Sequence, residues 1–162
     1  MIEQKDGKYY YSYDDIHDLV KKLSYEIISA DVKINLIVGI ATGGWIPARI
    51  LRTYLPNSDN MPMPLYSIGL VNYDNADNLL SEARIVQKLP ADLDLSDKNV
   101  LVFDEVCDSG GTFLKAKEYL LSLKPKNLYT GVLHVKAQSE FTPDFIGKNA
   151  GNAWIVYPWD VK

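Results

Sequence analysis

The sequence predicts an α/β fold, in which helices flank a mostly parallel twisted sheet, and three observations support this prediction. Short, nearly continuous apolar runs recur along the 162-residue chain, as in strands that are buried on both faces. Stretches with apolar residues at helical spacing lie between these runs. Polar turns that contain glycine follow two of the runs. Strands that alternate with helices need crossover connections, and such connections make a sheet mostly parallel.

Three segments have the pattern of helices. Residues 13–30 repeat apolar side chains at helical spacing, and Ser12 begins a Ser-x-x-Asp pattern that is close in form to a capping box. Pro47 fits the first turn of a second helix, which we expect to continue through residues 48–55. Residues 113–123 have the pattern of a third helix.

The apolar runs predict the strands, and the segments between them are polar. Strands are expected at residues 34–40, 65–71, 99–103, 128–135 and 153–156, with the partly alternating residues 81–89 as a further strand. The stretch 72–78 contains three asparagines and two aspartates, and this composition predicts an exposed loop.

Composition excludes several classes of protein. Seventeen basic and 21 acidic residues give a formal net charge of −4, which argues against a nucleic-acid-binding protein that depends on bulk positive charge. Cys107 is the one cysteine, so the chain has no internal disulfide. No apolar run has the length of a membrane span, and no apolar secretory segment follows the N-terminal residues. We therefore expect one cytoplasmic domain over residues 1–162, without a membrane or nucleic-acid partner.

The segment after the strand at 99–103 has the most distinctive chemistry. Asp104 and Glu105 are adjacent carboxylates, and their mutual repulsion requires a cation or hydroxyl donors nearby. The helix opening that follows consists of Asp108, Ser109, Gly110, Gly111 and Thr112. Its glycines allow backbone N–H groups to face an anion, and the helix N-terminus adds partial positive charge. Carboxylates beside an anion cradle suit a ribose 5-phosphate. A simple helix cap would explain the glycine turn, but it has no use for the acidic pair.

Residues 100–112 (VLVFDEVCDSGGT) closely resemble the phosphoribosyl-pyrophosphate signature of type I phosphoribosyltransferases. The resemblance implies that Asp104 and Glu105 hold the ribose hydroxyls and, through them, influence a bound Mg²⁺. It also implies that residues 108–112 hold the 5-phosphate. Asp108 matches the aspartate that lies near purine N7 in the family, which makes it the candidate catalytic base. The order Asp-Glu departs from the commoner Asp-Asp or Glu-Asp.

A second glycine turn follows the strand at 34–40 and is similar to the pyrophosphate loop of the same family. Its residues are Ala41, Thr42, Gly43 and Gly44. Many relatives have arginine or lysine at the position of Thr42, so neutralisation of pyrophosphate would fall to Mg²⁺ and to other cations, with Arg49 and Arg84 as candidates. Without the first motif, this turn would be interpreted as an ordinary strand-to-helix connection.

The C-terminal segment Trp154-Ile155-Val156-Tyr157-Pro158-Trp159-Asp160 resembles the purine-binding strand of bacterial xanthine-guanine phosphoribosyltransferases. The resemblance implies that Trp154 stacks on the purine, that the Ile155 backbone contacts its 2-position edge, and that Asp160 helps to bind Mg²⁺ or the 2-substituent. The alternative is that the two tryptophans only pack the C-terminus against the core.

Two further candidates come from the same resemblance. Lys136 follows the strand at 128–135, where a lysine in 6-oxopurine enzymes donates to purine O6, although a solvated lysine would look the same in sequence. Tyr73 lies in the segment 72–78 that corresponds to the family's flexible loop, with an ordinary surface tyrosine as the equal alternative. His134 and Cys107 are interpreted as packed core residues.

The resemblance as a whole implies a Mg²⁺-dependent purine salvage enzyme with phosphoribosyl pyrophosphate and a 6-oxopurine as substrates. It also implies a core at about 30–136, a small hood made from about 1–12 and 137–162, and a homodimer or larger homo-oligomer. Two alternatives remain at this point: an adenine phosphoribosyltransferase, and a non-catalytic regulatory protein that senses phosphoribosyl pyrophosphate.

Overall fold

The computed structural model describes residues 3–56, 61–73 and 79–160, and in these ranges the chain forms three helices and nine strands. The helices are α1 (Tyr13–Ser29), α2 (Trp45–Leu51) and α3 (Gly111–Ser122). The strands are β1 (Glu3–Lys5), β2 (Lys8–Tyr10), β3 (Leu36–Ala41), β4 (Leu65–Tyr73), β5 (Leu79–Gln87), β6 (Asn99–Cys107), β7 (Asn127–Lys136), β8 (Phe145–Gly151) and β9 (Trp154–Val156). None of the described helices is long and apolar enough to cross a membrane.

Six of the strands form the main sheet, in the order β5-β4-β3-β6-β7-β8. All neighbouring pairs are parallel except β4 and β5, which are antiparallel. The α/β fold with a mostly parallel sheet is therefore confirmed. The chain passes from β3 outward to β4, and later from β6 outward to β7. Strand order thus reverses between β3 and β6, and in such sheets the ligand crevice lies at the carboxyl ends of these two strands.

Helices cover both faces of the main sheet. One apolar cluster joins α1 and α2 to Leu101 and Phe103 of β6, and the other joins α3 to Val100 and Val102 of the same strand. Successive side chains of a strand point to opposite faces, so β6 contributes alternately to the two cores. The central strands are therefore buried on both faces, and their carboxyl ends are the parts available for ligands.

The hood is a separate sheet of three strands in the order β1-β2-β9. β9 is parallel to β2 and lies at the edge of this sheet, with Ile155 opposite Tyr9. Ile155 and Tyr157 are buried in the cluster that contains α1, which fixes the hood to the main sheet.

The structure differs from the sequence-based prediction at several points. α2 ends at Leu51 and not at residue 55, because residues 52–54 form a turn. β8 lies in the main sheet beside β7, so that sheet extends beyond residue 136 and does not leave the whole of 137–162 to the hood. β6 continues to Cys107, so Asp104 and Glu105 lie within a strand and not in a loop. The strand continues because Val106 and Cys107 remain in register with His134 and Val135 of β7.

Candidate functional site

A cavity of about 940 Å³ lies at the carboxyl ends of β3 and β6, where strand order reverses. Both glycine turns line it. The predicted residues that it brings together are Ala41, Thr42, Gly43, Asp104, Glu105, Asp108, Ser109, Gly110, Gly111 and Thr112. Leu70, Ala83 and Lys115 also line the cavity. The two motifs that the sequence separates by about sixty residues therefore face one ligand-sized space.

The glycines after β3 make room for the carboxylates of β6. A Cβ atom at Gly43 would overlap the Glu105 carboxylate, and a Cβ atom at Gly44 would lie 2.7 Å from Asp104 Oδ1. Any larger residue at either position would thus displace an acidic side chain. The sequence suggests these glycines for approach to pyrophosphate, and the structure shows a second requirement, which is close packing between the two motifs.

Burial makes the charged form of the acidic pair unfavourable in free energy. Asp104 is only 6% exposed, and burial, followed by the neighbouring Glu105 charge, raises the pKa of Asp104 well above its usual value. Asp104 Oδ1 accepts a hydrogen bond of 2.8 Å from the Glu105 N–H. Glu105 Oε2 is buried and has no hydrogen-bond partner among the described residues. The pair consequently offers one unsatisfied hard oxygen atom, Glu105 Oε2, which suits a divalent cation or a ribose hydroxyl.

The second glycine turn begins α3 in a conformation that requires glycine. Gly110 has φ of 97°, in the left-handed region, and a Cβ atom there would lie 2.5 Å from the Phe141 Cβ. Gly111 is unconstrained by comparison, because only Ser109 Oγ lies within 4 Å of its Cβ position. Asp108 and Ser109 are exposed toward the cavity. The N-terminus of a twelve-residue helix thus points at the cavity and favours an anion there.

Residues 138–141, here called the buttress segment, contact the turn that begins α3. Gln138 Nε2 donates to Asp108 Oδ1, and the Glu140 N–H donates to the Ser109 carbonyl at 3.0 Å. Ser139 Oγ lies 3.1 Å from Cys107 Sγ. Sequence patterns do not indicate this segment, because its residues lie about thirty positions from the turn and have no periodic pattern.

The proposed purine-binding residues form a second group beside the cavity. The buried Lys136 ammonium donates to the Ala153 carbonyl, and Trp154 is 65% exposed, so its ring is accessible. Val156 accepts a hydrogen bond from the Tyr11 N–H at 3.1 Å, so its backbone faces β2 and that of Ile155 faces the outer edge of β9. Lys136, Trp154 and Ile155 do not line the 940 Å³ cavity itself.

A buried hydrogen-bond chain links the hood to the acidic pair. The Tyr157 hydroxyl donates to the Glu105 carbonyl at 2.8 Å and lies 2.9 Å from His134 Nδ1. Because the single hydroxyl proton is used, His134 Nδ1 carries a proton and donates it to Tyr157. Burial, followed by the Lys148 and Lys136 charges, lowers the pKa of His134 to about 3. His134 is therefore a neutral core residue, as predicted from the sequence.

Two expected contributors are not placed in the cavity. Asp160 is exposed, and its Oδ2 accepts from the Tyr157 N–H at 3.0 Å within a turn. Asp160 does not line the cavity that contains Asp104 and Glu105, and within residues 3–56, 61–73 and 79–160 no three or more His, Cys, Asp or Glu side chains lie together as a metal site. The backbone of Tyr73 ends β4, which corrects the expected loop at 72–73, and the rest of that loop lies outside the described residues.

Comparison with known proteins is consistent with this geometry. The model of the phosphoribosyl transferase domain matches residues 12–162. A hypoxanthine-guanine phosphoribosyltransferase of Schizosaccharomyces pombe is 30% identical, over 94% of this chain and 89% of its own. A purine phosphoribosyltransferase structure from Pyrococcus horikoshii has a TM-score of 0.80 and 28% identity, and covers 96% of each chain.

A third relative is a hypothetical protein from Neisseria gonorrhoeae, whose structure contains bound ppGpp. It is 36% identical with a TM-score of 0.81, and the match covers 98% of this chain and 92% of that one. Together these matches confirm the resemblance that the signature at residues 100–112 indicated.

The contact between Gly110 and Phe141 leads to a stability prediction. Gly110→Ala lowers the free energy of unfolding by about 2 kcal/mol, because it adds left-handed strain of roughly 1–2 kcal/mol to an overlap with Phe141. Gly111→Ala is the matched control and changes stability by less than about 0.5 kcal/mol, since its Cβ makes only an ordinary contact of 3.8 Å with Ser109 Oγ. Urea unfolding of both variants measures the difference, and equal stability of the two would contradict the assignment.

The raised pKa of Asp104 leads to a prediction about pH. The folded state keeps a proton on Asp104 that the unfolded chain loses near pH 4, so this group lowers stability as pH rises above that value. In metal-free buffer, Asp104→Asn therefore has a Tm a few degrees above wild type at pH 7. The difference decreases as pH falls and disappears below about pH 4. Thermal unfolding between pH 3.5 and 8 measures it, and a lower Tm for the variant at pH 7 would refute the prediction.

Proposed function

Because this chain belongs to the phosphoribosyl transferase family, we propose that it is a purine salvage enzyme with 6-oxopurines as its substrates. It transfers the 5-phosphoribosyl group of phosphoribosyl pyrophosphate to N9 of hypoxanthine, guanine or xanthine. The products are the nucleoside monophosphate and pyrophosphate. The observation that carries this proposal is the neighbouring position of Asp108 and Lys136 at the ends of β6 and β7.

The register between these strands explains the choice of base. Cys107 pairs with Val135, so Asp108 and Lys136 are the next residues along two adjacent parallel strands. A carboxylate accepts hydrogen bonds and an ammonium donates them. The neighbouring O6 and N7–H of a 6-oxopurine present the complementary acceptor and donor. Adenine has a donating amino group at position 6, which would face the Lys136 ammonium without a hydrogen bond.

The cavity supplies the phosphoribosyl pyrophosphate site in this proposal. The 5-phosphate binds to the N–H groups and hydroxyls of residues 109–112 at the start of α3. The ribose hydroxyls bind to Asp104 and Glu105, and the buried Glu105 Oε2 has no donor among the described residues. Pyrophosphate lies against residues 41–44, which pack directly on that acidic pair.

The hood supplies the purine site. Trp154 has an accessible ring face for stacking on the base. The Ile155 backbone groups lie on the outer edge of β9, where they are available to the 2-position of the purine. The contact between Lys136 and the Ala153 carbonyl brings the end of β7 beside this strand.

Mg²⁺ fits the acidic pair and is part of the proposal. Carboxylate oxygens are the ligands that this cation prefers, and Glu105 Oε2 is unsatisfied among the described residues. When bound, Mg²⁺ supplies positive charge to pyrophosphate as it departs. Thr42 is uncharged, and Arg49 and Arg84 are exposed outside the cavity lining, so the 41–44 turn itself brings no cation to pyrophosphate.

The reaction is a displacement at the anomeric carbon. The bond from C1 to purine N9 forms, and the bond from C1 to the pyrophosphate oxygen breaks. Asp108 accepts the proton from N7 as N9 acquires its new bond. Backbone N–H groups at the start of the 41–44 turn stabilise the negative charge that develops on pyrophosphate, since the Gly44 N–H already donates to the Ile40 carbonyl at 3.0 Å. Lys136 holds O6 and thereby orients N9 toward the ribose.

Nucleotide formation from each of four bases tests this function. With phosphoribosyl pyrophosphate and Mg²⁺, at least one of hypoxanthine, guanine and xanthine is converted, adenine is inert, and a chelator abolishes turnover. Lys136→Ala lowers kcat/KM for the purine about tenfold or more, and Asp108→Asn lowers kcat about 100-fold. Lys33→Ala and Asp97→Asn, which alter exposed residues away from the cavity, are the controls and retain activity.

Each other outcome has a defined meaning. Preference for adenine would retain the reaction and refute the role of Lys136. Tight binding of phosphoribosyl pyrophosphate without turnover of any base would favour a regulatory protein that senses this metabolite.

We also propose that a guanosine polyphosphate competes for the same cavity. The relative from Neisseria gonorrhoeae, at 36% identity, contains bound ppGpp. Such a molecule combines a 6-oxopurine with pyrophosphate groups, which are the two chemistries that the proposed site recognises. The expected result is inhibition by ppGpp that increasing phosphoribosyl pyrophosphate overcomes. Inhibition that is independent of phosphoribosyl pyrophosphate concentration would place ppGpp elsewhere.

A further inference from the structure

We infer that Gln138 is a positioning residue, whose side-chain amide holds the Asp108 carboxylate in the orientation that accepts the purine proton. This inference rests on the proposed function, because it needs Asp108 to be the proton acceptor. The observation is the hydrogen bond from Gln138 Nε2 to Asp108 Oδ1 across the gap between two connecting segments.

The position of Gln138 is determined by the rest of the buttress segment. Its backbone is fixed to the start of α3 by the bond of 3.0 Å from the Glu140 N–H to the Ser109 carbonyl. Ser139 Oγ donates to the Phe141 carbonyl at 2.8 Å and closes a tight turn. The Phe141 ring stacks on Phe113 of α3, with centroids 5.3 Å apart and an interplanar angle of 6°. Three of these four residues thus contact the turn that begins α3, and Ser139 lies 3.1 Å from Cys107 Sγ just before it.

Asp108 needs such a partner because of where it lies. It follows the last residue of β6 and is exposed, so its side chain is free to adopt several rotamers. A general base works only when its oxygen lies within hydrogen-bond reach of the proton that it accepts. The amide of Gln138 occupies Oδ1 and selects one rotamer, which leaves Oδ2 for N7. The rotamer entropy is then lost on folding and not in each catalytic cycle.

A glutamine suits this task better than a charged donor. Its amide donates a hydrogen bond but has no net charge. It therefore holds the Asp108 carboxylate without placing a cation there, and a cation would compete with the purine N7–H for that carboxylate. Lys136, two residues earlier, already places an ammonium group at this edge of the sheet for the purine oxygen. The sequence Lys136-Ala137-Gln138 thus supplies one donor for the base and one for the catalytic carboxylate.

A purely structural role is distinguishable from a positioning role. The stability of the turn depends on the backbone of Glu140 and on the buried Phe141, whereas the Gln138 side chain is exposed. Truncation of an exposed side chain changes stability little. Gln138→Ala is therefore expected to leave Tm and the KM for phosphoribosyl pyrophosphate unchanged and to lower kcat about tenfold.

Two further variants sharpen the test. Gln138→Glu keeps the length of the side chain but removes the donor and adds a repelling charge, so it lowers kcat at least as much. Gln87→Ala is the matched control, because Gln87 is an exposed glutamine whose Nε2 donates to Ser67 Oγ at 2.9 Å on β4. It removes a comparable hydrogen bond outside the site and leaves kcat unchanged.

A double-mutant cycle with Asp108→Ala separates this inference from the proposed function. If Gln138 acts through Asp108, the double variant is no slower than Asp108→Ala alone. Wild-type kcat in Asp108→Ala, or an inactive wild type, would refute the proposed role of Asp108 and this inference with it. A slow Asp108→Ala together with a fully active Gln138→Ala would overturn the inference alone. Additive losses, or a parallel loss of Tm and of phosphoribosyl pyrophosphate binding in Gln138→Ala, would overturn it as well.

Discussion

The packing of Asp104 and Glu105 against Gly43 and Gly44 determines the shape of the site. Both carboxylates belong to β6 near its carboxyl end. The turn that follows β3 lies so close to them that Gly43 and Gly44 have no room for a side chain. β3 and β6 are paired neighbours in the sheet, so the turn after β3 and the acids of β6 occupy the same strand ends. The packing also buries one acid so deeply that its charged form is disfavoured, and it leaves an oxygen of the other without a donor. The cleft is consequently poised for a ligand that brings positive charge and hydroxyl groups.

Around that contact, two sets of elements carry the two groups of candidate binding residues. The main sheet and α3 form the anion cradle and carry the acids, while β9 and the end of β7 carry the groups suited to a planar base. Their connections are few and specific. Tyr157 spans from the hood to the Glu105 carbonyl, Lys136 reaches the Ala153 carbonyl, and the buttress segment supports the turn that begins α3. A purine bound on β9 would therefore lie near the carboxyl ends of β6 and β7, where Asp104 and Glu105 are located.

Much of this arrangement can be predicted from the sequence, for identifiable reasons. β3, β6 and β7 are predictable because strands that are buried on both faces are continuously apolar, and the cradle is predictable because Asp108 to Thr112 concentrate glycine and hydroxyl groups after such a strand. β8 is not, since FIGKNAG at an edge of the sheet has no apolar run or strict alternation. The sequence also does not show that β6 continues through Asp104 and Glu105, because two adjacent acidic residues are more typical of a loop than of a buried strand. The contacts of Gln138 join residues thirty positions apart, and no local pattern encodes them.

The neutral state of His134 has a consequence for how rates will depend on acidity. Its pKa of about 3 means that the chain from His134 through Tyr157 to the Glu105 carbonyl stays intact throughout the physiological range. The sequence has two histidines, and the other, His17, lies on α1 with its ring bonded to the Tyr54 hydroxyl, outside the cavity lining. An ionisation that appears in the rate profile near neutrality cannot be attributed to His134. Such an ionisation would therefore not report a break in the hydrogen bond between His134 and Tyr157.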